Sequence, residues 1–161
     1  MPVPAASNLI AQVLPPPRTT VAGIPPHVTL LYPFVPPAMI DDSVETTLAE
    51  VAARVPPFMF QLARVGRFPG VLYLEPEPAS SFVNLIETLL VRWPDHPPYG
   101  GRYEAVVPHV TVLAGREPPG LAVSLEEALP VDCKAERVQL LAQDDGGQWQ
   151  TKRDVVLGGG P

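Results

Sequence analysis

Cysteine is nearly absent from these 161 residues; Cys133 stands alone, which excludes an internal disulfide framework and suits a reducing cytoplasm. Basic charge is also scarce: 11 Lys and Arg against 17 Asp and Glu leave a net charge of −6. A protein that grips long nucleic acid carries a basic stripe, because phosphate contacts dominate that affinity, and here the basic residues are scattered. No extended nucleic-acid surface is expected, whereas a few arginines can still hold one small phosphorylated ligand. No apolar run approaches the ~20 residues that cross a bilayer, so no membrane partner is expected. Residues 1–17 lack a basic n-region and are broken by prolines, which does not fit a signal peptide. His-x-His and His-Glu-x-x-His are missing, and so is Gly-x-Ser-x-Gly. A zinc site and a nucleophile-elbow serine hydrolase are therefore poor readings, and neither metal nor cofactor is expected.

What is present is an ordinary globular composition, 46% hydrophobic and 17% charged, in a chain long enough to bury roughly 70% of its unfolded surface. Proline is abundant, with 23 residues. Runs such as Pro15-Pro16-Pro17, Pro25-Pro26 and Pro97-Pro98 stand between periodic segments and mark loops and element edges.

Two short segments repeat each other: Pro26-His27-Val28-Thr29-Leu30-Leu31 and Pro108-His109-Val110-Thr111-Val112-Leu113. Both are β-branched, alternate with period two and open on proline, the pattern of a strand. On a strand His and Thr share one face, while the flanking Val and Leu share the other. The stretches downstream of the two segments also match. After the first come a proline loop, a helix predicted over 41–54, and strands over 58–68 and 71–74 joined at Pro69-Gly70. After the second come a proline loop, a short helix near 121–129, and strands over 131–142 and 148–157 joined by Asp144-Asp145-Gly146-Gly147, a strong hairpin signal. Residues 8–14 read as an opening strand, and 80–93 as an amphipathic crossover helix with Phe82, Leu85, Ile86, Leu89 and Leu90 on one side. The glycine-rich tail after Leu157 is expected to fray.

The expected fold is α+β: one bilobal domain over 1–161, with half-repeats at 24–76 and 106–157. Two small, mainly antiparallel sheets with outer helices would enclose a central cleft in a pseudo-two-fold arrangement, bringing the two His-Thr pairs face to face.

A lone histidine on a strand is usually structural. Two histidines in equivalent places of two similar halves point to chemistry. Displacing one oxygen of a phosphate ester needs a group that takes a proton from the attacking oxygen and another that gives one to the departing oxygen. Imidazole suits both roles near neutral pH. Hydroxyls on the same face can donate hydrogen bonds to the non-bridging oxygens.

The paired His-hydrophobic-Thr motifs resemble those of the two-histidine (2H) phosphoesterase superfamily, which includes the 2′-5′ RNA ligase-like and cyclic phosphodiesterase proteins. The resemblance spans about residues 8–157 and includes Pro26-His27-Val28-Thr29-Leu30-Leu31-Tyr32-Pro33-Phe34, Arg67-Phe68-Pro69-Gly70-Val71-Leu72-Tyr73-Leu74 and Pro98-Tyr99-Gly100-Gly101. It implies a bilobal fold and metal-free hydrolysis or transfer at 2′,3′-cyclic or 2′-5′ phosphate linkages of nucleotides or short RNA. His27 and His109 would be base and acid, and Thr29 and Thr111 would bind phosphate.

Arg116, five residues beyond Thr111, could reach a phosphate from the cleft rim, with Arg102 and Arg18 weaker candidates of the same kind. Tyr32 and Tyr103 could stack on a base. His96 reads as a surface-loop residue and Cys133 as a small core residue. The rival class is a nucleotide or cyclic-phosphate binding protein without turnover. A cytoplasmic protein is expected, and a monomer is compatible with all of this.

Overall fold

The computed structural model of the chain describes residues 1–14 and 23–159. Pro15-Pro16-Pro17 and Arg18 lie outside the described residues, as do residues 160–161.

Helix α1 (Pro4–Val13) opens the chain where a strand over 8–14 was expected. That run is apolar enough for either element. Its buried side chains Ala6, Leu9 and Ile10 follow helical spacing, and Pro4 sits in the first turn, where a missing N–H costs nothing. Helix α2 (Asp42–Ala53) starts on Asp41, whose Oδ1 accepts from the Val44 N–H at 3.0 Å. Asp42 and Glu45 add favourable negative charge to its first turn, and Leu48, Val51 and Ala52 face the core. Helix α3 (Ser80–Arg92) buries Phe82, Leu85, Ile86 and Leu89, as its periodicity predicts, and α4 (Leu121–Ala128) is short.

Strands β1 (Phe58–Phe68) and β2 (Val71–Glu77) form the expected hairpin, flanked by β3 (Val110–Ala114) and β4 (Val131–Ala135). The sheet order is β3-β2-β1-β4, with every pair antiparallel. Strands β5 (Arg137–Gln143) and β6 (Trp149–Val156) make a second, two-stranded antiparallel sheet across the expected turn. The architecture is α+β. The larger sheet takes two strands from each half of the sequence repeat, so the sheets do not divide along it. Helix α1 packs on α4 and β4, α4 on β1, and α2 on α3 and β6.

Three further expectations are corrected. The strand predicted over 131–142 breaks at Glu136 into two strands of different sheets. Burial alternates through Cys133 and Ala135, slips one residue at the exposed pair Glu136 and Arg137, then resumes at Val138. A one-residue slip sends side chains to the opposite face, which forces a new sheet. The segment 26–31 is no continuous strand; it holds two isolated antiparallel bridges, Pro2↔His27 and Val28↔Val110. Pro25 and Pro26 supply no N–H to a ladder, which limits pairing at its start. The tail begins anchored rather than frayed: Leu157 is buried, and the Gly158 N–H donates to the Ala52 carbonyl at 3.1 Å.

Phe82 is fully buried, with its ring edge-on to Phe58 and Phe60 at 5.0 and 4.9 Å between centroids. Phe82→Ala would leave a cavity at this junction of α3 and β1, and urea unfolding should read a loss of about 3–5 kcal/mol. Among the described residues no helix is long and apolar enough to cross a membrane.

Candidate active site

The two His-Val-Thr segments meet directly. Val28 donates its N–H to the Met1 carbonyl at 2.8 Å, and its own carbonyl accepts from the Met1 amino nitrogen at 2.9 Å. Both backbone groups of Val28 therefore turn toward the N-terminal segment, and Val110 pairs with Val28 from the other side. In antiparallel pairing the neighbours of a bridge run opposed. His27 therefore lies across from Thr111, and Thr29 across from His109. The local two-fold axis of the bridge relates one pair to the other.

Burial repeats in step. Pro26, Val28 and Leu30 are buried, as are Pro108, Val110 and Val112. His27, Thr29, His109 and Thr111 are all half-buried. The apolar side chains anchor the seam, and alternation leaves both histidines and both threonines on its other face. The histidines are diagonal neighbours there, about 7–8 Å apart at the backbone, a span that one phosphate group can bridge with imidazoles reaching from either side.

Each imidazole is held the same way. Nδ1 of His27 donates to the Pro25 carbonyl at 2.7 Å, and Nδ1 of His109 donates to the Val107 carbonyl at 2.7 Å. A carbonyl can only accept, so Nδ1 carries the proton in both rings. The tether leaves Nε2 of each as the free basic nitrogen. The intervening proline, with φ fixed near −65°, confines the bend that allows this contact with the residue two positions back.

Burial lowers the pKa of His27 below its usual 6.5, opposed by the hydrogen bond to Pro25; positive charge on the Met1 amino group and on His109 lowers it further. Burial lowers His109 in the same way, opposed by its bond to Val107. Both rings are therefore biased toward the neutral form that can accept a proton.

Among the described residues, none of the remaining candidates stacks on these four or is hydrogen-bonded to them through its side chain. Tyr32 is exposed and sits edge-on to Trp149 of β6, centroids 6.2 Å apart, while its carbonyl accepts from the Tyr99 N–H. Tyr103 is exposed and edge-on to Tyr99 at 5.6 Å. Arg102 and Arg116 are exposed on loops. Among the described residues neither makes an ion pair, and neither is hydrogen-bonded through its side chain to the histidines or threonines. His96 packs edge-on to Phe34 at 5.8 Å. Cys133 is buried, which pushes its thiol pKa up, as fits a packing role. Among the described residues no three His, Cys, Asp or Glu side chains gather where a metal could bind. A groove of about 450 Å³ lined by Arg54, Asn84, Glu87, Thr88, Val91 and Arg92 contains none of the candidates.

Sequence reasoning missed the aromatic neighbours of His109. Phe68 lies edge-on to its ring and Tyr73 tilted against it, each with centroids 5.1 Å away. A signal was available: a two-residue turn at Pro69-Gly70 sets Gly66 opposite Tyr73, and a glycine facing an aromatic residue across a hairpin marks a close approach.

The 2′-5′ RNA ligase superfamily model matches residues 5–147. Two relatives bear the provisional name of phosphoesterase. One, from Geobacillus kaustophilus, is 29% identical over 86% of this chain and 82% of its own length. The other, from Bacillus pumilus, is 30% identical over 85% and 82%. A crystal structure from Thermus thermophilus superposes with a TM-score of 0.64 at 19% identity, covering 96% of this chain and 92% of that one. E. coli LigT in its apo form superposes at 0.58 and 17% identity, over 94% and 90%. LigT has also been solved with NADP+ and with 3′-AMP bound, at TM-scores of 0.57 and 0.56.

Proposed function

The chain belongs to the 2′-5′ RNA ligase superfamily, and from that premise we propose that it is a phosphoesterase acting by two-histidine acid–base catalysis. Its substrates would carry a 2′,3′-cyclic phosphate or a 2′-5′ linkage, on a nucleotide or a short RNA. The observation that supports this reading is the seam at Val28↔Val110, where the two His-Val-Thr segments meet and each imidazole is tethered to a backbone carbonyl in the same way.

The step follows from the tethers. One histidine, neutral at Nε2, accepts the proton of the attacking water or hydroxyl as its oxygen bonds to phosphorus. The bond to the leaving oxygen breaks, and the other histidine delivers a proton to that oxygen from Nε2. Nδ1–H of each ring is committed to a carbonyl, so the acid must be the imidazolium. Thr29 and Thr111 donate hydroxyl hydrogen bonds to the non-bridging oxygens, whose charge grows in the transition state. Tyr32 beside Trp149 would offer ring surface to a base, and Arg102 and Arg116 would offer positive charge. LigT's capture of 3′-AMP and NADP+ supports a nucleotide ligand, and a net charge of −6 favours a small one.

Turnover of nucleoside 2′,3′-cyclic phosphates, and of a short oligonucleotide ending in one, in the presence of EDTA tests this. A single regioisomer of product phosphate is the expected result. Binding without turnover by folded protein would replace the enzyme with a nucleotide-binding protein. Activity lost to chelation and restored by zinc or manganese would end the metal-free mechanism.

The lowered pKa values add a second prediction. Log kcat/KM reports the free enzyme, where the base limb rises through a pKa below 6.5 and the acid limb falls through another below 6.5. The bell should peak on the acid side of 6.5. In kcat both limbs should move to higher pH, because bound phosphate favours imidazolium. A flat profile from pH 5 to 9 would count against two titrating histidines.

A further inference from the structure

The two histidines differ in what lies against them. His109 rests on two aromatic rings, whereas among the described residues His27 contacts none. Phe68 and Tyr73 stack on each other with centroids 4.2 Å apart and planes 27° from parallel. His109 sits at 5.1 Å from both, edge-on to Phe68 at 82° and inclined to Tyr73 at 58°. The rings and the imidazole form a closed triangle on the face of the larger sheet.

The sheet builds this triangle. Tyr73 is the register partner of Gly66 on one side and of Thr111 on the other, so it shares a face with the second motif's hydroxyl. Its ring lies over Gly66: a Cβ there would fall inside van der Waals contact with Tyr73 Cε2 and Cζ. A side chain at 66 would evict the ring. Tyr73 is only 6% exposed, so the ring has little freedom to go elsewhere.

We propose that Tyr73 and Phe68 are positioning residues for His109, and that Gly66 is the clearance that lets them act. The hydrogen bond to Val107 fixes one edge of the imidazole but leaves rotation about that contact. The two rings block that rotation, so Nε2 keeps its aim at the oxygen with which it exchanges a proton. This deepens the two-histidine reading and rests on it. The tyrosine hydroxyl is not required, since the aromatic ring does the work.

The test combines kinetics with the histidine Cε1–H region of the ¹H–¹³C spectrum, where three histidines give a simple pattern. Tyr73→Leu should lower kcat by about 10–100-fold, the scale of a misaimed catalytic group, with KM changed little. It should move the His109 resonance and leave that of His27 in place. Tyr73→Phe should restore kcat and the resonance. Gly66→Ala should reproduce the Tyr73→Leu defect, and the double variant should lose no more than either single one. Phe68→Leu, further from the glycine contact, supplies a second route should Tyr73→Leu not fold. Wild-type kcat with an unmoved His109 resonance in folded Tyr73→Leu or Phe68→Leu would overturn the proposal. A raised KM at full kcat would also overturn it, by making Tyr73 a substrate contact. If His109→Ala itself stays active, the two-histidine reading fails instead, and the resonance alone still decides whether the rings hold His109.

Discussion

Replacing His27 or His109 with alanine should each reduce turnover of a 2′,3′-cyclic phosphate by about 10²–10⁴-fold, the contribution of one proton transfer. The loss should come from chemistry and not from unfolding. Each imidazole is half-buried and makes one hydrogen bond to protein, worth about 1 kcal/mol, so the variants should stay folded. The two proton transfers serve one displacement, so removing both groups should cost much less than the product of the single losses. The variants also sort the bell-shaped profile. The single variant that has lost the base should lose the acidic limb of log kcat/KM, and the other should lose the alkaline limb. That pattern would tell which histidine is base in the direction assayed. Either variant keeping more than a tenth of wild-type kcat would remove that residue from the acid–base pair.

The motif pair was legible because its signal is local. Alternation in Pro26–Leu31 and Pro108–Leu113 gives which side chains share a face, whether or not a full strand forms around them. Long amphipathic runs read equally well: α2 with Asp41 at its start, and α3 with Phe82, Leu85, Ile86 and Leu89 inward. The β1–β2 hairpin was marked by Pro69-Gly70 and the β5–β6 hairpin by Asp144 to Gly147. The Asp144 carboxylate makes the second turn a local device, accepting from the N–H groups of Gly146 and Gln148 at 3.0 and 2.9 Å.

What stayed hidden depends on contacts distant in sequence. The α1 segment is short enough for either period, and its packing on α4 and β4 selects the helix. The first motif looked like a strand, yet its partners are Pro2 and Val110, 25 and 82 positions away, and neither pairing extends into a ladder. That Val28 meets Val110 directly, and so sets His27 across from Thr111, is a tertiary fact that no local pattern contains. The break at Glu136 was visible as a slip in alternation but easily passed over, because Val131 to Ala142 is apolar at nearly every second position. The aromatic platform under His109 needed the hairpin register carried one strand further, to the meeting of Tyr73 with Thr111.

Thr29→Val and Thr111→Val should each lower kcat by about 10²–10³-fold, the scale set by loss of one preorganised donor to a developing oxyanion. Valine keeps the β-branched shape and deletes only the hydroxyl, and both sites are half-buried beside the seam, so packing should survive. KM should change less than kcat, because the charge to be stabilised grows toward the transition state. Serine at either position keeps the donor and should recover most of the rate. The bridge at Val28↔Val110 places each threonine across from the other motif's histidine, so the two valine variants should suffer comparable losses, within about a factor of ten (~1.4 kcal/mol) of each other. Comparable losses with serine rescue would tie both hydroxyls to one phosphate held at the centre of the local two-fold. If only one variant is impaired, the phosphate sits off that axis and one threonine is structural. If both raise the Kd for a cyclic phosphate in a protein that never turns it over, the site is a receptor for the group and not a catalyst.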